Sequence, residues 1–447
     1  MKLLFFVAAM LWMPGITWAT PTDTAWQGDP AAQGSWHEGT NWTVGVPGNS
    51  NSAKIDNGGT AVISADADVR YLYVGDDNSG TILQATGWLH PVWEVHLGYG
   101  ANSLGRYELS GTGVVAKYYQ DLYVGGYGSG QFVQTGQSIC SMGDITLGQQ
   151  EGSHGTYELT DATVNAQQMF IGRDGTGVFT QNSGTVSVTR GSPAYLRVGY
   201  GYWGGTGQGT YELKSGDLDT NTVLVGNGSV GLIDNTGGRH FMHSYDMLLG
   251  NSGYPHGEGT YHLGGNAELD HCDQLRLGLG AEGLGKFKQS GGTSLFNFVE
   301  LGTRVGAGEF EVAGGGSSTI RTGQFTQGNN GTLVSTVMQD GLSTIEVARV
   351  ENFYGDGSAL LQGTWRVEDG GAPAGMWNVL TAAGGISISG DFDVSLPDDT
   401  HWAWGNDGNT LWVEHVPEPS TLTLLAIAVA CLAFRTRRLR KSQTKNE

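Results

Sequence analysis

The chain has 447 residues, with 43 acidic and 23 basic side chains and a formal net charge of −20. Such a surface repels nucleic acid and anionic lipid, which argues against DNA or RNA as a partner. The 75 glycines carry no collagen period and lie between short runs of valine, leucine, tyrosine and phenylalanine. This is the pattern of tight turns between short strands, with no amphipathic helix between Thr20 and His415, and it predicts an all-β chain.

Lys2 is followed by the apolar run Leu3–Trp12, broken at Pro14-Gly15 and closed by Thr17-Trp18-Ala19. The pattern is that of a secretory signal peptide over residues 1–19, cleaved between Ala19 and Thr20. A membrane helix fails on length. Residues 20–70 hold Trp26, Trp36 and Asn41-Trp42 before any regular repeat. These aromatics are expected to cap the open end of the first coils, where core and strand edges would otherwise be exposed.

From residue 71 to 331 an apolar residue followed by glycine recurs, and the anchor glycines are 75, 98, 125, 148, 172, 199, 226, 250, 278 and 302. Their spacings run 23, 27, 23, 24, 27, 27, 24, 28 and 24. Between them falls either Gly-x-Tyr-x-Leu, at Tyr107, Tyr157, Tyr211 and Tyr261, or Gly-x-Phe-x-Gln, at Phe132, Phe179 and Phe287. Each unit holds three short alternating stretches, such as Tyr157/Leu159, Val164/Ala166 and Met169/Ile171. Like residues recurring about every 25 positions fit a single-stranded parallel β-helix, in which each coil buries its inward side chains on the next. Right-handed winding follows from crossover chirality. The anchor glycines are expected at corners that need positive φ or a close approach. The Phe-x-Gln glutamines are expected at corners or as an amide ladder in the core. Cys140 and Cys272 fall five coils apart, about 24 Å, too far for a disulfide. Both read as small core residues.

From residue 332 to 415 the anchors fade, and Ser343–Val347, Thr364–Val367, Met376–Leu380, Phe392–Val394 and Leu411–Val413 read as further strands. They fit either wider coils or a sandwich-like cap. The tail, 416–447, opens Val416-Pro417-Glu418-Pro419-Ser420-Thr421, continues as an apolar run to Phe434, and ends in a cluster containing Arg435, Arg437, Arg438 and Arg440. Pro417 and Pro419 make a stiff non-helical hinge. The apolar run favours a short membrane helix with its basic end in the cytoplasm. Thr421 to Phe434 is 14 residues, or ~21 Å as a helix against ~30 Å of hydrocarbon, which suits a temporary tether.

This tripartite tail resembles the PEP-CTERM sorting signal of bacterial proteins. The resemblance implies processing by an exosortase, a precursor tethered in the inner membrane, and delivery to the cell surface or extracellular matrix of a Gram-negative-type bacterium. The tryptophan-rich start, the coils and the ending also resemble β-solenoid passengers related to autotransporter-type repeats.

Glycan cleavage needs facing carboxylates or a basic partner beside one. The candidates are Asp76-Asp77, Asp217 with Asp219, Asp391 with Asp393, and Asp398-Asp399. None has a basic or histidine partner in the neighbouring coil register, so solvated turns are the expected reading. His240, His243 and His271, the last beside Cys272 and Asp273, are the metal candidates, with turn histidines as the plainer explanation. Weak surface calcium is a possibility at turns such as Gly355-Asp356-Gly357-Ser358. The expectation is a structural or adhesive surface protein with no catalytic residues, no cofactor and no resident metal, contacting extracellular polysaccharide or surface proteins. The alternatives are a β-helix polysaccharide lyase or glycoside hydrolase, and a lectin using Trp203, Trp402 and Trp404.

Overall fold

The structure, a computed structural model, describes residues 23–416 apart from 193, 202–204, 244, 252–255, 315–318, 349–354 and 399. The Ala19–Thr20 cleavage site, Pro417, Glu418, Pro419 and Ser420, the apolar run and Arg435, Arg437, Arg438 and Arg440 therefore lie outside the described residues. So do Trp203 and Asp399.

The alternating stretches become strands because one side chain in two is apolar and the intervening ones are polar. One coil is made of His154–Thr160, Thr163–Asn165 and Gln168–Ile171. The next is made of Thr176–Gln181, Thr185–Val188 and Tyr195–Tyr200. They pair in parallel, with Tyr157 on Phe179, Val164 on Val186 and Met169 on Leu196. All six side chains are buried. The first strand of each coil joins a 15-stranded parallel sheet, and the other two join a 27-stranded sheet. The chain is an all-β parallel β-solenoid of about 14 turns. Among the described residues the only helical element is the 3-10 turn Gly39–Asn41. No helix among them is long and apolar enough to cross a membrane.

All ten anchor glycines lie at positive φ, between 56° and 76°. The reason is visible at Gly148, where an added Cβ would come 2.3 Å from the Thr176 carbonyl oxygen. The glycine that opens each Gly-x-aromatic motif has a complementary role. A Cβ on Gly155 would lie 2.0 Å from the Val124 oxygen and 2.5 Å from the Gly148 nitrogen. Backbone packs on backbone at this corner, and neither column admits a side chain.

Of the two expected placements for the Phe-x-Gln glutamines, corners or an amide ladder in the core, the ladder is not formed. Gln134 and Gln181 are fully buried but separated by Leu159, so no amide lies on another. Each instead donates Nε2 to two backbone carbonyls, those of Ser138 and Thr163 for Gln134 and of Gly184 and Asp217 for Gln181. Their Oε1 atoms accept the hydroxyls of Tyr157 and Tyr211 in the following coils. Buried amides are thus satisfied without solvent.

At the amino-terminal end Trp26, Trp36 and Trp42 are buried and meet edge to face, with centroids 5.0 and 4.8 Å apart. The Trp42 indole donates to the Trp36 carbonyl at 2.8 Å. At the other end, wider coils continue the helix: Gly331–Met338 pairs in parallel with Thr364–Gly370, and Ile345–Val347 with Gly375–Ala382. Antiparallel Thr410–His415 and Trp402–Asn406 then close over Gly375–Ala382. A parallel edge that would accept another strand is covered there by a hairpin.

Candidate functional site

Among the described residues the candidate aspartates do not converge on a single centre. Asp76 pairs with Lys54 at 2.9 Å. Asp391 and Asp393 are exposed beside or on a short edge strand. Asp398 accepts from the Thr400 and His401 amides at 2.9 and 2.7 Å, and these backbone donors, His401 first, pull its carboxyl down to about 2. It is a turn cap. The Gly355–Ser358 turn is similar, with Asp356 accepting from the Ser358 amide at 2.9 Å and from its hydroxyl.

Asp217 and Asp219 do share a strand face, and here the expected lack of a basic partner is corrected. Register places Arg239 directly beside Asp217 in the next coil. The guanidinium leans the other way, to Asp270 at 3.1 Å and Glu268 at 3.6 Å. Burial raises the Asp219 carboxyl above its ordinary range, with His243 opposing. The irregular coil lengths hide this register in the sequence.

The histidines separate by environment. His240 is fully buried between Leu218 and Leu269, and burial drops its imidazole to about 3. Its ring nitrogens meet Thr220 Oγ1 at 2.8 Å and the Tyr261 hydroxyl at 3.1 Å. The reason is local: Asn235 replaces the longer glutamine here and reaches Tyr261 only at 3.4 Å. His243 and His271 lie on the surface against the Phe241 ring, at 4.8 and 4.9 Å. His271 adopts a φ of 60° and pairs with Asp270 at 2.7 Å. Among the described residues no three His, Cys, Asp or Glu side chains are arranged to hold a metal. Cys140 and Cys272 are buried free thiols, and burial pushes the Cys140 thiol up to about 12.

Of the proposed lectin tryptophans, Trp402 is buried and stacked on His415 at 4.5 Å, which removes it as an exposed platform. Trp404 is 39% exposed.

A more extensive outward feature was not singled out from the sequence. The side chains just before the anchor dipeptides point outward and stack from coil to coil. Tyr73 lies on His96 at 5.0 Å, and His96 lies on Tyr123 at 4.9 Å, with planes within 4° and 10° of parallel. Tyr99 stands perpendicular to this stack, 5.4 Å from Tyr73 and 5.0 Å from His96. Tyr127 meets Tyr99 edge to face, and Trp93 stacks on Tyr71. Phe170 and Tyr195 continue the aromatic character further along, both under the Arg197 guanidinium.

Carboxylates flank the stack in successive coils. Glu94 accepts from His96 at 2.9 Å, and that bond holds its carboxyl below the usual range. Asp121 accepts the Asp144 amide at 3.0 Å and the Tyr123 hydroxyl at 3.2 Å. Burial raises both aspartates, and burial with the Asp121 charge brings Asp144 up to about 6. Burial also lifts the Tyr73 phenol to about 12, with Tyr99 and Glu94 adding to it. Neutral phenols and crowded carboxylates make this a hydrogen-bonding face with aromatic walls. Two open hollows among the described residues, of about 280 Å³ around Asn329 and Gln362 and about 340 Å³ around Glu158 and Lys214, contain none of the candidate aspartates.

Fold and surface thus define a capped parallel β-solenoid whose most developed outward feature is an aromatic and carboxylate face. Its carboxyl end matches the PEP-CTERM protein-sorting motif over residues 415–438. The chain thus carries a PEP-CTERM sorting motif behind a β-solenoid, and the motif implies processing by an exosortase and an exported, surface-directed protein. No curated protein and no solved structure matches it.

Proposed function

We propose that this chain is a non-enzymatic surface or matrix protein whose solenoid serves a structural or adhesive role. The precursor is held in the inner membrane by residues 421–434, cut near Pro417-Glu418-Pro419, and released. The observation that carries the reading is the PEP-CTERM motif at 415–438 behind a solenoid closed at both ends. A rod covered at its ends stays soluble and presents long lateral faces to its surroundings. The dispersal of the candidate aspartates over separate coils and turns favours adhesion over cleavage, since bond breaking needs an acid and a base on one substrate.

The test is twofold. Surface material from cells lacking the chain is expected to lose cohesion, and the purified protein is expected to release no product from a panel of neutral and acidic glycans. Turnover that disappears with Asp217→Asn or Asp219→Asn would establish an enzyme instead.

A further inference from the structure

We propose that the face from Tyr71 to Tyr127 binds an uncharged polysaccharide laid along the solenoid axis. The proposal rests on the surface-directed, adhesive reading above and names its ligand class.

Three exposed aromatics lie together on this face. Trp93, Tyr99 and Tyr127 are 47%, 38% and 50% exposed, beside the inner stack of Tyr73, His96 and Tyr123. A contiguous apolar surface of this kind on an exported protein marks a contact site. Its chemistry is amphipathic, because Trp93, Tyr99 and Tyr127 expose apolar ring surface and the tyrosines add hydroxyls at the rim. Pyranose rings match this, with C–H faces for the aromatics and hydroxyls for polar neighbours. The carboxylates of Glu94, Asp121 and Asp144, one per coil, supply strong acceptors for those hydroxyls.

The repeat argues for a polymer. The ring spacings of 5.0 and 4.9 Å along the stack present similar chemistry over three successive coils, as a chain of repeating sugars requires. Charge narrows the choice. The three carboxylates and the net charge of −20 repel uronate or phosphate chains. Lys54, beside Tyr73, and Arg197, over Phe170 and Tyr195, bracket the face, and the cationic hexamer below tests a polycation directly. One further mark is independent of the exposed rings. His96 is 5% exposed, and its buried Nδ1 has no hydrogen-bond partner. An unsatisfied polar atom at the centre of a surface stack is a cost that folds retain at working sites.

Calorimetric titration of the purified full-length chain, kept in mild detergent, tests this with four hexamers. Cellohexaose and N-acetylchitohexaose are uncharged, the glucosamine hexamer is cationic and the galacturonate hexamer is anionic. At least one uncharged hexamer is expected to bind, which also tells a glucan from an N-acetylhexosamine polymer. The double variant Trp93→Ala/Tyr99→Ala is expected to weaken that binding at least tenfold with an unchanged melting temperature. Asp121→Ala is expected to weaken it without changing which hexamer is preferred. Binding confined to a charged hexamer, binding that survives the double variant, or no binding to any hexamer would overturn the proposal. If no hexamer binds while the protein still resides in surface material, this face is wrong and the surface reading stands.

Discussion

The Tyr157 hydroxyl donates to Oε1 of Gln134, 2.5 Å away in the preceding coil. The same relation joins Tyr107 to Gln84 and Tyr211 to Gln181, whereas at Tyr261 it is reversed, Asn235 Nδ2 donating to the hydroxyl at 3.4 Å. Trp365 repeats the Tyr157 relation with the Ser335 hydroxyl at 3.1 Å. A hydrogen-bonding aromatic in this column therefore stands above a polar side chain. This explains why Tyr-x-Leu coils alternate with Phe-x-Gln coils. At Gln289, where the next coil brings Phe310, Ser294 donates to the amide oxygen instead, at 2.7 Å.

Gln134→Leu is expected to destabilise the solenoid by about 2–3 kcal/mol, because it strands the Tyr157 hydroxyl and the Ser138 and Thr163 carbonyls. Tyr157→Phe alone is expected to cost about 1 kcal/mol. Urea melts of the double variant should show a loss smaller than the sum of the two, since the stranded hydroxyl is then gone. Strict additivity would mean that the pair is not coupled.

His240 gives a pH dependence with a definite sign. Burial lowers its folded pKa from 6.5 to about 3, so the unfolded chain takes up the proton first as pH falls. Its contribution is whole above pH 6.5 and is lost progressively down to about 3, at up to ~1.4 kcal/mol per pH unit. His240→Leu, matching Leu218 and Leu269 in its column, is expected to flatten the fall of melting temperature over that window. At neutral pH it should be less stable than the parent by about 1–2 kcal/mol, having stranded Thr220 and Tyr261. Parallel melting curves across the window would contradict a buried neutral imidazole.

Two glycines separate strain from collision. Gly152 has a φ of 77° and open space where a Cβ would go, so Gly152→Ala is expected to cost only the left-handed penalty of about 1–2 kcal/mol. Gly148 has a φ of 64° and a backbone oxygen 2.3 Å from the same position. Gly148→Ala should therefore lower the melting temperature several times further. Equal losses would show that packing between the two glycine columns is unimportant.

The repeat was legible because corners of this solenoid admit only glycine, and the inward alternation is strict at positions such as Val164, Met169 and Leu196. The glutamines were legible only as corner or core residues, and their partners were not, since a Tyr–Gln bond spans coils of unequal length. The same irregularity hid Arg239 beside Asp217 and the role of His240 in place of a glutamine. The aromatic face carried a usable signal. Reading the residue before each anchor dipeptide gives Tyr73, His96, Tyr123, Thr146, Phe170 and Arg197 in order. The closing hairpin at Trp402–His415 had no such signal, because antiparallel pairing leaves no coil period.

Processing of the tail is tested most directly by intact mass spectrometry of the protein recovered from surface material. The expected species begins at Thr20 and ends near Pro417-Glu418-Pro419, without Arg435 to Glu447. A surface-located chain that retains Arg435 to Glu447 would contradict exosortase release.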